Sequence, residues 1–133
     1  MRLVIGRKVD LAIRALHALA NDGERETASR IAESIDTSEA FLPQVMSGLV
    51  ATGIVSSERG PGGGYRLEVP LGEISVLDVV TAVEGPVPED TCVLRGGPCG
   101  GADTCSLHEA WTAARAALVA ELDATPLDAA WPG

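Results

Sequence analysis

The chain has 133 residues, of which 46% are hydrophobic, and this is enough for one compact domain with a real core. No stretch reaches the roughly 18 uninterrupted apolar residues of a membrane span, and no secretory signal opens the chain, so we expect a cytoplasmic protein with no membrane partner. The net charge of −9 lies in residues 67–133, whereas residues 1–66 hold eight basic and eight acidic residues and can still present a local positive face.

Three helices are predicted in the first half. Apolar spacing predicts the first over about residues 8–21, where His17 is expected to be a surface side chain. The second is predicted over residues 27–35 with Thr27 as its N-cap. The third follows a new cap at residues 36–38 and ends at Gly53. Two helices joined by such a short turn form a helix-turn-helix arrangement.

A glycine-rich hairpin is predicted directly after the third helix. Residues 54–58 and 65–69 have the composition of two strands, and the turn of residues 59–64 between them holds four glycines. A hairpin placed directly after a helix-turn-helix makes a winged helix. The predicted fold class is therefore mainly α, with a small β-hairpin wing.

The start of the third helix and the wing are the predicted DNA contacts. Helix-turn-helix proteins read base edges near the start of their second helix, where the amide of Gln44 suits adenine. Arg59, on the glycine-rich turn, suits the negative potential of a narrow minor groove. Pro43 is expected to remove a backbone bond and bend or tighten the helix start. The full predicted set is Thr37, Ser38, Glu39, Phe41, Gln44, Ser47, Arg59, Gly60, Gly62, Gly63 and Tyr65.

Two further helices are predicted in the second half. The first covers residues 73–84 and is closed by Gly85-Pro86. The second carries one apolar stripe, because large and small apolar residues recur at steps of three and four. The members of this stripe are Leu107, Trp111, Ala114, Leu118 and Leu122.

The apolar stripe predicts a homodimer. A winged helix is already complete by about Val69, so the long helix is expected to pair with a second copy, and a symmetric dimer suits a two-fold DNA site. Residues 1–72 are predicted to be the DNA-binding domain. Residues 73–133 are predicted to hold a ligand-binding loop (about 90–108), the dimerisation helix (about 105–123) and a short C-terminal tail.

All the cysteines lie in one glycine-rich loop, as Cys92, Cys99 and Cys105, with His108 shortly behind. Clustered thiolates suit zinc, copper(I) or iron–sulfur clusters, and an odd number of cysteines argues against a disulfide framework. Zinc sites usually contain a C-x2–4-C pair. The gaps of six and five residues here are wider, and they favour a larger inorganic core.

These features together resemble the IscR/NsrR/RirA family of bacterial iron–sulfur transcription regulators. The motifs concerned are the Gly60-Pro61-Gly62-Gly63-Gly64-Tyr65 wing, the three spaced cysteines, and the runs of residues 1–3, 10–16 and 76–85. The resemblance implies a homodimer on promoter DNA whose long helices cross. It also implies a cluster on the three cysteines that senses iron–sulfur supply, redox state or nitric oxide and sets which promoters are bound.

The resemblance leaves two candidates for the fourth ligand. Members similar to IscR use a histidine three residues after the last cysteine and hold a 2Fe–2S cluster, a pattern matched by His108. Members similar to NsrR use an N-terminal aspartate of the other subunit and hold a 4Fe–4S cluster, a position matched by Asp10. Residues three apart on a helix share a face, so Cys105 and His108 favour the 2Fe–2S centre. Asp10 also suits a simple helix-dipole role.

Other function classes stay open at this stage. A structural zinc site on the same four residues is one alternative, and thiol-based redox sensing without a cluster is another. A winged helix that binds only protein is a further one. We do not expect an enzyme, because the sequence shows no C-x-x-C pair and no set of nucleophile, base and acid.

Overall fold

The computed structural model describes residues 3–130, with residue 22 described by its backbone alone. Residues 1, 2 and 131–133, at the outer ends of the two predicted domains, lie outside the described residues. The predicted fold class is confirmed. The elements in chain order are α1 (Arg7–Asp22), α2 (Ala28–Ser34), α3 (Leu42–Ala51), β1 (Val55–Glu58), β2 (Gly64–Leu67), a 3-10 turn (Leu71–Glu73), α4 (Val76–Glu84), α5 (His108–Asp123) and α6 (Leu127–Ala130).

One hydrophobic core joins α1, α2, α3 and α4. It draws on residues from both sides of position 72, so the division into residues 1–72 and 73–133 stays a prediction about function and does not separate two cores. None of the helices within residues 3–130 is both long and apolar enough to cross a membrane. The largest fully buried side chains are those of Leu11, Leu16, Leu19, Ile31, Leu42, Met46, Leu49, Ile74 and Leu127.

The turn between α2 and α3 is closed by backbone hydrogen bonds. The Thr37 N–H donates to the Ala32 carbonyl at 2.9 Å, which is possible because Asp36 has a left-handed backbone with φ 56°. The Ser38 hydroxyl then accepts from the Phe41 N–H at 3.1 Å and caps the turn that leads into α3. Pro43 lies in the first turn of α3, where a backbone N–H has no acceptor within the helix. The prediction that Pro43 removes a backbone hydrogen bond is therefore wrong.

The wing is an antiparallel hairpin with a third, single-residue partner. In β1 and β2, Val55 pairs with Leu67 and Glu58 pairs with Gly64. Glu26, just before α2, exchanges two backbone hydrogen bonds of 2.8 Å with Tyr65 and so holds the hairpin against the helices. A side chain at Gly64 is excluded, because a Cβ there would lie 2.0 Å from the Glu26 carbonyl oxygen.

The α4 helix crosses α3 at very close range. It begins with a capping box in which the Asp78 N–H donates to the Ser75 hydroxyl at 3.0 Å and the Ser75 N–H donates to the Asp78 carboxylate at 2.9 Å. Gly48 of α3 lies at the crossing point. A Cβ at this position would lie 1.8 Å from the Ala82 carbonyl oxygen, so only glycine fits.

The long helix α5 lies largely outside this core, but the chain returns to it afterwards. No residue of α5 is buried. The Leu127 N–H then donates to the Ile74 carbonyl at 2.8 Å, and the Leu127 side chain is fully buried. His17 is half-buried and its Nε2 donates to the Leu127 carbonyl at 2.9 Å, so the prediction of a surface side chain is wrong.

Candidate metal centre and nucleic-acid interface

The cysteine loop is folded by its own backbone hydrogen bonds. The Cys92 N–H donates to the Gly97 carbonyl at 2.6 Å, and the Gly96 N–H donates to the Cys92 carbonyl at 2.8 Å. The Cys99 N–H donates to the Asp90 carbonyl at 2.8 Å. Gly96 has φ 73°, a conformation that favours glycine, and it closes the turn. The local sequence therefore brings Cys92 and Cys99 to the same side of the loop.

The three cysteine sulfurs form one compact group, called here the three-thiol group. The Sγ atoms of Cys92, Cys99 and Cys105 all lie within 4.8 Å of one another. Cys92 and Cys99 are buried and Cys105 is partly exposed. The Cys105 N–H also points at Cys99 Sγ, at 3.3 Å. Clustered sulfurs that receive amide N–H groups fit a soft metal ion or an iron–sulfur cluster, whose thiolate ligands are stabilised in this way.

The thiols of Cys92 and Cys105 differ in acidity. The backbone N–H of Arg95 favours the thiolate of Cys92 and, with the Leu94 N–H and the Arg95 side chain, outweighs burial and lowers the Cys92 pKa to about 6. The pKa of Cys105 moves the other way. The Leu107 N–H favours its thiolate, but burial and the neighbouring Cys92 and Cys99 raise the pKa above its usual value. The group therefore ionises in steps.

Arg95 is a part of this site that the sequence reasoning missed. Contact with Cys92, and then with Cys99, raises the pKa of its guanidinium. The same guanidinium lies 3.5 Å from the Asp103 carboxylate. The only sequence signal was that Arg95 is one of two basic residues in the otherwise acidic second half of the chain.

His108 and Asp10, the two predicted fourth ligands, have different surroundings. His108 is the first residue of α5 and lines a small cavity of about 10 Å³ with the three cysteines, but it is not part of the three-thiol group. Asp10 lies in the first turn of α1, where both carboxylate oxygens accept from Arg14 Nε at 3.2 Å. His108 is thus beside the sulfurs of its own chain, whereas Asp10 takes part in an ion pair.

The second candidate site is a groove between α3 and the wing. It has a volume of about 680 Å³ and brings together part of the predicted DNA-binding set. Thr27 and Ala28, at the start of α2, also line it and were not predicted. The predicted residues that line this groove are Ser47, Arg59, Gly60, Gly63 and Tyr65.

The other predicted DNA contacts lie outside this groove. Gln44 and Glu39 are exposed near the start of α3, and Gly62 is exposed at the tip of the wing. Ser38 caps the turn before α3, and Phe41 packs partly against the core, so both have structural roles. Thr37, half-buried, closes the end of α2.

The charges at the groove single out Arg59. Arg25, beside it, is mostly buried and is held by the Gly64 carbonyl at 3.1 Å and by Glu58 at 3.6 Å. Arg66 is paired with Glu68 at 2.9 Å. Among residues 3–130, no carboxylate forms an ion pair with Arg59, which is exposed on the turn. Arg59 is therefore the side chain best placed to bind a phosphate.

Residues 5–130 match the model of the Rrf2 family, which is described as an iron-dependent transcriptional regulator. The chain belongs to the Rrf2 family. This confirms the resemblance to the IscR/NsrR/RirA regulators. The matched segment contains α1 to α6, the wing and the three cysteines, so family membership rests on nearly the whole chain.

Relatives of this Rrf2 protein are named as transcriptional regulators. It is 43% identical over 81 residues to the HTH-type transcriptional regulator IscR of Enterobacter sp. strain 638, a match that covers 61% of this chain and 49% of the relative. The same figures hold for IscR of Klebsiella pneumoniae. The chain thus spans about half the length of the curated relatives it matches.

Solved structures share the fold along nearly all of the chain. CymR, the global cysteine regulator of B. subtilis, is 29% identical with a TM-score of 0.74, and the match covers 96% of this chain and 95% of CymR. IscR of T. potens is 26% identical with a TM-score of 0.69, and the match covers 95% of this chain and 84% of that one. None of these named relatives is described as an enzyme.

Proposed function

We propose that this Rrf2 protein is a DNA-binding transcriptional regulator that senses iron–sulfur supply, redox state or nitric oxide through an iron–sulfur cluster. The proposed ligands are Cys92, Cys99 and Cys105, with His108 as the fourth ligand of a 2Fe–2S centre. The observation that carries the proposal is the three-thiol group, placed directly before α5 in a winged-helix chain. Asp10 of a second copy, with a 4Fe–4S cluster, is the alternative ligand.

The groove between α3 and the wing supports the DNA-binding part of the proposal. Promoter DNA would place a base edge near Gln44 and Ser47, both exposed on α3, and Arg59 in or beside the minor groove. The glycines of the wing allow the backbone to approach the duplex closely. In this proposal residues 1–72 bind DNA, and the remaining residues hold the cluster and the dimer contact.

The exposure of α5 supports a homodimer. Leu118, in the middle of its apolar stripe, is 51% exposed, and Leu107 at its start is 42% exposed. Trp111 is only partly covered by the cysteine loop. Because burial of such side chains stabilises association by roughly 25 cal/mol per Å² of apolar surface, a second copy of α5 is a suitable cover.

The proposed mechanism couples the loop to α5. The His108 N–H donates to the Cys105 carbonyl at 3.1 Å, so the last thiolate ligand is joined to the first turn of the helix. Arg115, two turns along, donates to the Glu89 carbonyl at 2.6 Å and fixes the start of the loop. A bound cluster would supply reversible electron transfer. It would also hold the cysteine loop in one conformation, which the loop would lose when the cluster is destroyed. The loop would then shift the population of α5 arrangements and hence the spacing of the two winged helices.

A structural zinc site is the second candidate, and one observation favours it. Two thiolates on a single zinc ion lie no more than about 4.6 Å apart, since a Zn–S bond is about 2.3 Å. The three sulfurs here lie within 4.8 Å, close to that limit. A 2Fe–2S cluster would instead divide the three thiolates and His108 between two iron ions, so metal analysis distinguishes the two candidates.

Anaerobic purification tests the proposal. We expect a red-brown protein whose iron and acid-labile sulfide match one 2Fe–2S cluster per chain, by metal analysis and Mössbauer spectroscopy. A mobility-shift assay with promoter fragments should show a change of affinity or of promoter choice when the cluster is removed. Colourless protein with one zinc per chain contradicts the cluster. Equal binding by the cluster-loaded and cluster-free proteins contradicts the sensing role.

Two matched substitutions test the fourth ligand. We expect His108→Ala to change the resonance Raman spectrum of the cluster or to lose it, whereas Asp10→Ala keeps the wild-type spectrum. The opposite result assigns the site to Asp10 and a cluster shared between subunits. A Glu109→Ala variant, altered next to His108 on the exposed side of α5, serves as the control for nonspecific damage.

A further inference from the structure

Arg95 adds a positive charge to the proposed cluster site. We propose that its guanidinium is a positioning residue that holds two of the three thiolate ligands and raises the reduction potential of the bound cluster, opposed by Asp103. This inference rests on the proposed function, because it concerns the potential of that cluster. It does not depend on which residue supplies the fourth ligand.

The loop geometry places Arg95 at this point. Its backbone lies inside the turn that the Cys92–Gly97 and Gly96–Cys92 hydrogen bonds close. Cys92 and Cys99 lie on either side of that turn, and both raise the pKa of the guanidinium beside them. At the same time it reaches Asp103 at 3.5 Å, in the segment between Cys99 and Cys105. The Arg95 side chain therefore links Cys92, Cys99 and the segment between Cys99 and Cys105.

The charges of Arg95 and Asp103 determine the direction in which each residue shifts the reduction potential. Three thiolates make the bound group negative, and its reduced form carries one more negative charge, so a nearby cation favours reduction. Arg95 lies in the turn between Cys92 and Cys99, so its positive charge is close to two of the proposed ligands. Asp103, exposed beside it, partly offsets the cation. Removal of Arg95 should lower the potential, and removal of the Asp103 charge should raise it.

A redox titration of anaerobically reconstituted protein tests this proposal. We expect Arg95→Gln to lower the ratio of reduced to oxidised cluster about tenfold at a fixed potential, which is about 59 mV for a one-electron couple. We expect Asp103→Asn to shift the ratio the opposite way. Arg95→Lys should stay near the wild type because it keeps the charge, with faster cluster loss to a chelator because it lacks the planar fork.

The opposite potential shifts expected for Arg95→Gln and Asp103→Asn distinguish an effect of charge from a purely structural effect. If Arg95 and Asp103 formed only a structural link, both substitutions would break the same contact and shift the potential in the same direction. Such a result, or no shift in Arg95→Gln, overturns the proposal. Arg30→Gln, on α2 and away from the loop, is the matched charge control. Wild-type protein that holds zinc and no iron contradicts the proposed function instead.

Discussion

The three cysteines are close together but chemically unequal. The N–H groups of Arg95 and then Leu94 lower the pKa of Cys92 to about 6, whereas the pKa of Cys105 is raised. The backbone conformation of the turn therefore selects the thiol that ionises first. In the apoprotein one ready thiolate would be present at neutral pH, so the first metal–sulfur bond would form without displacement of a proton.

A pH titration of the reduced, metal-free protein should reveal this order. We expect the thiolate ultraviolet absorbance to rise in a one-thiol step near pH 6, and we expect Cys92→Ser to remove that step. The Cys92 pKa lies below the value of 9.0 for an ordinary thiol. The ionised Cys92 thiol therefore contributes stability that is fully present above pH 9 and is lost as the pH falls through about 6.

The same titration has an internal control. Cys105→Ser should keep the step near pH 6, since the N–H groups around Cys92 stay in place. If all three thiols instead ionise together near pH 9 in the wild type, the unequal environment inferred for Cys92 is wrong.

At the scale of elements, the close crossing of α3 and α4 depends on the absence of a Cβ atom at Gly48. Gly48→Ala would raise the intrinsic helix stability by about 1 kcal/mol, but its Cβ would lie 1.8 Å from the Ala82 carbonyl oxygen. Such overpacking costs about 1–3 kcal/mol or more, so the clash exceeds the gain. We expect a lower free energy of unfolding, measured by urea denaturation of the metal-free protein.

Gly97→Ala is the matched control for this prediction. A Cβ at Gly97 would have no atom within 4 Å, and its φ lies outside the left-handed region. We expect its stability to stay within about 0.5 kcal/mol of the wild type. A stabilised Gly48→Ala protein would show that the two helices can move apart at little cost.

The helices and the wing were predictable because their signals are local. Thr27 caps α2 by accepting from the Arg30 N–H at 3.3 Å, and Gly23 ends α1 in a left-handed conformation, as the sequence patterns indicate. The pairing of Glu26 with Tyr65 was not predictable. It joins residues far apart in the chain, and a single residue carries no strand periodicity.

The cysteine site was predictable only in part. The spacing of Cys92, Cys99 and Cys105 indicated a common ligand, and the structure brings their sulfurs together. The role of Arg95 depends on the shape of a turn that only the folded loop shows. Its acidic partner, Asp103, is one of eleven acidic residues in the second half, so sequence alone could not select it.

At the scale of the whole molecule, α5 is joined to the cysteine loop at one end and to the hydrophobic core at the other, and none of its residues is buried. Its first turn is joined to the cysteine loop through the Cys105 carbonyl. After its last turn, Leu127 is buried in the core and holds His17. A change in the loop can therefore move one end of α5 relative to a fixed end. In the proposed homodimer, such a movement would carry a signal from the cysteines to the two wings.

The exposed middle of α5 gives the last prediction. We expect Leu118→Glu to convert a homodimer to a monomer in light scattering after gel filtration, because Leu118 is 51% exposed and a charge would be buried at the helix contact. Ala116→Glu adds the same charge about half a turn away, on the exposed face opposite the stripe, and should leave the dimer intact. A monomeric wild type, or a Leu118→Glu protein that stays dimeric, excludes this stripe as the dimer contact. The DNA affinity of the Leu118→Glu protein should also fall, since two linked winged helices bind a two-fold site far more tightly than one.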